Sequence, residues 1–229
     1  MDILSSLIEN REIIKLIYGL LIGLICFIIV LRVDKLFRLS LHQGIRYFRN
    51  AFFFYGLAFI VRYVFGALIF YELIIGKYSL VVTIIFKYFL IMAGFFLLYS
   101  LLWKKLEITN KNYYSSLFNP KITIFYIMAL VIVFLDYFWQ THYFIFISQI
   151  ILFTIASGIS YLNYNRGKQE HKFLKFYFVA MILALAAWIF NSISALLEWN
   201  QGFLINSYLS NIIIFLLFLY GVINATRLK

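Results

Sequence analysis

Two basic side chains inside long apolar stretches are the residues of this chain whose type and position could do chemistry. Arg62 lies within the apolar stretch 45–70, and Lys87 lies within another at 78–103. A charge near the bilayer centre costs roughly 2.5–3.5 kcal/mol on insertion scales, so such a residue usually faces a bundle interior and serves a function. Arg62 lies eight residues before the end of its stretch, and Lys87 lies nine residues after the start of its own. These two ends face the same membrane surface if the stretches are consecutive crossing helices, which places each cation about 12–14 Å deep at the rise of an α-helix.

Helical periodicity places Arg62 on a face made mostly of small residues. That face comprises Ala51, Tyr55, Ala58, Arg62 and Gly66 at three- and four-residue steps. The opposite face is large and apolar, as lipid requires; its residues are Phe53, Leu57, Ile60, Val64 and Leu68. The pattern therefore predicts that Arg62, and Lys87 by analogy, points into the bundle.

Other apolar stretches add polar groups at a similar depth. The stretch 173–197 has small residues on its inner half (Ala180, Ala184, Ala187) and polar ones on its outer half, and 206–226 follows the same logic. Ser148, Gln149 and Asp136 add polar groups from two further stretches. We therefore predict an outward-facing polar cavity whose ligand-binding residues are Arg62, Lys87, Asn191, Ser194, Ser207 and Asn211.

Two interpretations of the cations remain open. In the structural one, Arg62 and Lys87 pair with Asp136, Glu198 or Glu72 and stiffen the bundle, as polar groups often do between membrane helices. In the other interpretation, an anionic ligand neutralises the two cations, because the sequence places no acidic residue at their depth. A carboxylate or a lipid phosphate would have the required charge.

The sequence lacks the residues that several specific membrane chemistries require. A retinal Schiff base needs a lysine in the last apolar stretch, and that stretch has none. His42, His142 and His171 fall in or beside connectors on different sides, which argues against a membrane haem or metal site. Ala156-Ser157-Gly158 lacks the order of rhomboid-type proteases and a buried histidine partner. We expect no catalysis, no cofactor, no metal and no nucleic-acid partner.

The elements that must position these residues are membrane helices. Of the 229 residues, 65% are hydrophobic and 13% charged, and the mean hydropathy is +0.94; soluble domains average about 25% charged. The lone Cys26 excludes an internal disulfide. We predict an all-α integral membrane protein, a single seven-transmembrane-helix bundle over 1–229 with spans at about 12–31, 45–70, 78–103, 121–138, 143–163, 173–197 and 206–226.

Charge distribution predicts the orientation of this bundle. Of the twenty Lys and Arg residues, fifteen lie in connectors or termini on one predicted side, whereas only Arg11, Lys15 and Lys77 lie on the other. The positive-inside rule then puts the N-terminus outside and the C-terminus in the cytoplasm. The basic face also attracts anionic inner-leaflet lipid. Gly19 and Gly23 form a GxxxG motif that permits close helix contact.

Seven spans, an outside N-terminus and an outward polar cavity resemble receptor-type seven-helix proteins and the seven-helix input modules of some microbial signalling enzymes. The resemblance is architectural and no specific motif carries it. It implies a sensory module of the cell membrane that binds a small anionic or lipid-like ligand and signals through a separate cytoplasmic or membrane partner. The alternatives are a small secondary transporter and a structural subunit of a membrane complex.

Overall fold

The computed structural model describes residues 11–67, 78–107, 120–139, 143–166, 172–196 and 201–227, and everything below concerns these ranges. They form seven helices, each matching one predicted span. In chain order the helices are α1 (Arg11–Ser40), α2 (Gln43–Ile60, continued by a π-helical turn at Val61–Phe65), α3 (Tyr78–Glu107), α4 (Pro120–Phe138), α5 (Tyr143–Arg166), α6 (Lys172–Leu196) and α7 (Gln201–Arg227).

Six of these helices are long and apolar enough to cross a membrane. The apolar part of α4, Ile122–Phe138, is shorter than the others. Large apolar side chains are exposed along the outer faces, among them Leu24, Phe27 and Ile213. In water such surfaces would associate, whereas lipid solvates them, so the fold is that expected of a multi-pass membrane protein.

Helix ends differ from the predicted spans mainly at the basic end of the bundle. The predicted connector 32–44 is largely helical, because α1 continues to Ser40 and only Leu41 and His42 separate it from α2. Leu41 has a φ of 52°, and its N–H donates to the Phe37 carbonyl at 2.8 Å. Pro120 begins α4, as its missing N–H allows.

The helices pack as a ring of six with one helix outside it. Contacts run from α1 to α2, α3, α5, α6, α7 and back to α1, while α4 packs against α3 and α5. Gly19 and Gly23 face α2, where an added Cβ would meet Tyr63 and Ile60 respectively. The GxxxG motif therefore serves a contact within the chain, between α1 and α2.

A polar cluster joins α1 and α2 at the basic end. Asp34 pairs with Arg49 across the two helices and with Arg38 one turn along its own helix. The Arg46 guanidinium lies 5.7 Å from the centre of the Phe37 ring. The sequence predicts that Arg46 and Arg49 reach towards lipid headgroups; in the structure both have partners on α1.

Candidate ligand-binding cavity

A cavity of about 730 Å³ lies inside the ring, within the roughly 300–1,000 Å³ typical of ligand sites. All six ring helices line it, and α4 does not. Its lining includes residues within the first two turns of α3, α5 and α7 and within the last two turns of α2 and α6, so it lies towards the end of the bundle where Asn191 and Ser207 meet. The innermost lining residues of α2, α3 and α7 are Phe52, Leu97 and Phe218.

Arg62 lines this cavity and is solvent-accessible. Its guanidinium lies 4.5 Å from the centre of the Phe86 ring and 5.9 Å from that of Tyr63. Such cation–π contacts hold a cation in place without neutralising it. Within the described part of the chain, no carboxylate forms an ion pair with Arg62, and Glu72 and Glu198 lie outside that part. The guanidinium also interacts with the Tyr63 side chain and lies on the cavity wall.

Arg62 lies in a π-helical turn of α2. Up to Ile60 the predicted faces hold, since Ala51, Tyr55 and Ala58 are buried and Phe53 is exposed. From Val61 to Phe65 the helix takes the wider π form, which inserts a residue relative to the α-helical register. Arg62 is exposed whereas Ala58 is buried, and Arg62 and Gly66 line the cavity as the predicted face requires. Single π turns inside α-helices frequently mark functional sites.

Lys87 also lines the cavity but has a carboxylate partner. Its Nζ lies 2.6 Å from Oδ2 of Asp136, with the two side chains 12% and 0% exposed. Oδ1 of Asp136 accepts the Ile145 N–H at 3.4 Å, one of the donors that the first turn of α5 leaves unpaired. The expectation that no acidic residue lies at the depth of the cations is therefore wrong. Asp136 lies in the last turn of α4, and its carboxylate joins that turn to Lys87 on α3 and to the first turn of α5.

Three of the four predicted polar ligand residues line the cavity, and one does not. Ser207 Oγ donates to Asn191 Oδ1 at 2.5 Å, and Asn211 Nδ2 donates to Tyr18 Oη at 3.1 Å; these three predicted residues line the cavity. Ser194 is not part of the lining, and its hydroxyl donates to the Phe190 carbonyl of its own helix at 2.8 Å. Five of the six predicted residues are thus brought to one cavity.

The α5 residues that were expected to add polarity lie elsewhere. Gln149 is fully buried between α5 and α3, and its amide donates to the Leu90 carbonyl at 3.3 Å. Gly94 leaves room for it, since a Cβ there would lie 3.0 Å from Gln149 Oε1. The Ser148 hydroxyl donates to the Ile145 carbonyl of its own helix. Neither side chain is part of the lining.

Aromatic rings form much of the wall, a feature missed by reasoning from charges. Tyr18 stacks on Tyr208 with ring centres 4.4 Å apart and meets Tyr63 edge to face at 5.2 Å. Phe59 and Phe215 continue this wall inwards, with ring centres 5.7 Å apart. The only sequence signal was the content of 27 Phe and 18 Tyr residues. The cavity therefore has a polar end at Asn191 and Ser207, its mouth, and an apolar wall further inside.

The charge of the lining has one sign. Lys15, Arg62 and Lys87 contribute basic groups, and the described residues around the cavity include no acidic side chain. Asp136 touches Lys87 from behind the wall. A site with fixed cations, hydrogen-bonding amides and aromatic rings can hold a molecule that carries a negative group on an apolar body.

The fold and the cavity define a class, a polytopic helical bundle with a basic, aromatic-lined central cavity. No protein-family model, no curated protein and no solved structure matches the chain significantly. Among the described residues, no three His, Cys, Asp or Glu side chains cluster in a way that could hold a metal ion.

Proposed function

We propose that this chain is a receptor-like module of the cell membrane that binds a small amphipathic anion in an outward-facing cavity and signals through a separate protein partner. The observation that carries the proposal is the position of Arg62. Its guanidinium lies over two aromatic rings on the wall of a basic cavity of about 730 Å³. A cation held in that way is preorganised for an incoming carboxylate or phosphate.

In the proposed topology all seven helices cross the membrane. Helix α4 has 19 residues, about 28 Å at the rise of an α-helix, and about 17 residues is the shortest usual span. With seven crossings, the surplus of basic residues at the Arg32–Arg49 end puts that end in the cytoplasm. The mouth beside Asn191 and Ser207 then faces outside.

Arg62 supplies the main recognition of the anion in this proposal. A guanidinium offers a planar pair of donors that matches a carboxylate or phosphate. Hydrogen bonds to charged groups contribute about 1.5–3 kcal/mol, so loss of Arg62 should weaken binding roughly 10- to 150-fold. Lys87 also lines the cavity, but Asp136 balances its charge, so Arg62 carries the recognition.

The test compares stabilisation by anions with stabilisation by matched neutral molecules. The purified protein in nanodiscs of zwitterionic lipid is heated with benzoate, octanoate or octyl phosphate, and with benzamide or octanol as neutral counterparts. We expect the anions to raise the melting temperature of the wild type, because ligands that bind only the folded state stabilise it. Arg62→Gln should remove that rise.

Arg46→Gln is the matched control, since Arg46 is also on α2 and lies against an aromatic ring, Phe37 of α1, but is outside the cavity lining. It should respond to anions as the wild type does. Equal stabilisation by anions and their neutral counterparts, or equal responses of the two variants, would contradict the proposal.

A transporter is the second candidate, and the π-helical turn at Val61–Phe65 favours it, because transporters often interrupt a helix at the binding site. Uptake of radiolabelled octanoate into proteoliposomes discriminates the two functions. A receptor binds the anion without accelerating its uptake, whereas a transporter accelerates uptake in an Arg62-dependent manner.

A further inference from the structure

We infer that the ligand of this cavity is an elongated, single-chain amphiphile whose anionic head lies at Arg62 and whose alkyl chain runs inwards to the wall formed by Phe52, Leu97 and Phe218. This inference rests on the proposed function and narrows its ligand to one chemical class. Cavity length, the arrangement of polar groups and the placement of small residues support it.

The cavity is much longer than it is wide. Its lining runs from Phe52 to Ala67 on α2 and from Val82 to Leu97 on α3, about 22 Å on each helix at 1.5 Å per residue. On α7 the lining runs from Ser207 to Phe218, about 16 Å on the same basis. On α5 and α6 the lining is shorter, from Ile145 to Phe153 and from Ala184 to Asn191, about 12 and 10 Å. Over a mean length of roughly 16 Å, the volume of about 730 Å³ gives a cross-section of about 45 Å², or about 8 Å across. A compact anion would leave most of that length empty.

Polarity changes along this length. Towards the mouth the wall carries Asn191, Ser207 and Asn211, of which the first two form a mutual hydrogen bond. Towards the inner end it carries Phe52, Phe153 and Phe218. Because every methylene moved from water into such an apolar channel strengthens binding about fourfold, affinity measured against the free aqueous concentration should rise with chain length.

Small residues leave the inner channel open on one side. Ala184 is the innermost lining residue of α6, and Ala187 lies one turn nearer the mouth. A larger side chain at either position would fill the space that the chain occupies. Ala186 on the same helix is exposed on the outer surface and does not line the cavity. The pair Ala184 and Ala186 therefore provides a test variant and its matched control.

Trp188 gives a direct reading of occupancy because it lines the cavity. The probe is 12-bromododecanoate, whose bromine quenches indole fluorescence on contact, titrated into the protein in zwitterionic nanodiscs. Saturable quenching that disappears in Trp188→Phe reports binding inside the cavity.

Unlabelled alkyl carboxylates of four, eight and twelve carbons, and alkyl phosphates of the same lengths, then compete with the probe. The two head groups distinguish a fatty-acid source from a phospholipid source.

We expect affinity to rise about fourfold per methylene across the series. Ala184→Leu should weaken binding of the twelve-carbon anion at least tenfold and change that of the four-carbon anion less than twofold, whereas Ala186→Leu should behave as the wild type. Retained binding of the short anion shows that the variant is folded, and Ala187→Leu is the second variant if it is not.

Failure of the inference and failure of the proposed function give different results. If affinity does not depend on chain length but Arg62→Gln still abolishes binding, the ligand is a compact anion and the inference is wrong. If no anion binds in an Arg62-dependent way, the proposed function is wrong as well. Equal effects of Ala184→Leu and Ala186→Leu on the long anion would likewise overturn the inferred path of the chain.

Discussion

Arg62 and Lys87 have the same description in the sequence, a cation within an apolar stretch, yet the structure gives them different roles. Arg62 lies against aromatic rings and is accessible from the cavity. Lys87 is held by a carboxylate that is itself fully buried and also bound to the first turn of α5. The Lys87–Asp136 pair therefore connects three helices, and its main consequence is for stability.

Replacing Lys87 with methionine should strongly destabilise the fold. Removing one partner of a buried pair leaves an uncompensated charge, which costs about 3–5 kcal/mol. In Lys87→Met combined with Asp136→Leu no charge remains, so the loss should be much smaller. The free energy of unfolding measured by SDS titration provides the values for the double-mutant cycle.

Lys35→Met is the control for this cycle, because Lys35 is exposed at the basic end of α1. It should change the free energy of unfolding by less than about 0.5 kcal/mol. If the double variant loses as much as the sum of the two single variants, the pair is not coupled and its assigned role is wrong.

Sequence reasoning named Asp136 as one of three candidate partners but could not decide which cation it pairs with. Hydropathy and helical periodicity singled out both cations and three of the polar lining residues, because those signals depend on one helix at a time. Pairing of Lys87 with Asp136 depends on how far α4 reaches along its neighbours. That offset is set by contacts between helices, which no single-helix pattern contains.

At the scale of elements, the contact between α1 and α2 decides where the aromatic wall lies. A Cβ on Gly19 would lie 2.3 Å from the Cβ of Tyr63, closer than two carbon atoms can approach. Tyr63 in turn packs edge to face on Tyr18, which stacks on Tyr208. The absence of a side chain at position 19 thus sets the position of three rings around the cavity.

Gly19→Ala should lower the melting temperature and weaken anion binding. The clash involves the root of the Tyr63 side chain, which cannot swing away, and overpacking of this kind typically costs about 1–3 kcal/mol. Gly158→Ala is the matched control on α5, since a Cβ there meets nothing within 4 Å. The control should be neutral or stabilising by up to about 1 kcal/mol, because alanine favours a helix over glycine.

Thermal unfolding in nanodiscs and the probe titration measure both effects of these glycine variants. Similar melting temperatures for the two variants would show that α1 and α2 adjust without strain, contrary to the role assigned to Gly19.

Helical periodicity predicted the inward face of α2, where Arg62 and Gly66 line the cavity, but not that one turn would be π-helical. The buried positions of Ala51, Tyr55 and Ala58 follow from a regular α-helix. The π turn beyond Ile60 changes the register without a proline or any other breaker in the sequence. It coincides with the packing of Tyr63 on Gly19, a contact between helices that the sequence of α2 alone does not contain.

At the scale of the whole molecule, composition was enough to predict a helical membrane bundle, but the position of α4 was not predictable. Its sequence is as apolar as that of its neighbours, yet it lies outside the ring, and most of its side chains, such as Ile124, Ile127 and Phe134, are exposed. In the proposed topology α4 is a seventh crossing helix. The side on which it ends therefore decides both the number of spans and the direction in which the cavity opens.

Accessibility of introduced cysteines to a membrane-impermeant thiol reagent tests this topology. In a Cys26→Ala background, Trp139→Cys places a thiol at the exposed residue that follows α4, and Lys35→Cys places one at the basic end of α1. In intact cells we expect labelling of Trp139→Cys, and protection of Lys35→Cys until the membrane is permeabilised, because the positive-inside rule puts the basic end in the cytoplasm.

Protection of both thiols would mean that α4 does not cross the membrane, and labelling of Lys35→Cys alone would mean that the orientation is reversed. Either result would turn the cavity mouth away from the outside or change the number of spans, whereas the expected pattern leaves Arg62 accessible to anions from outside the cell.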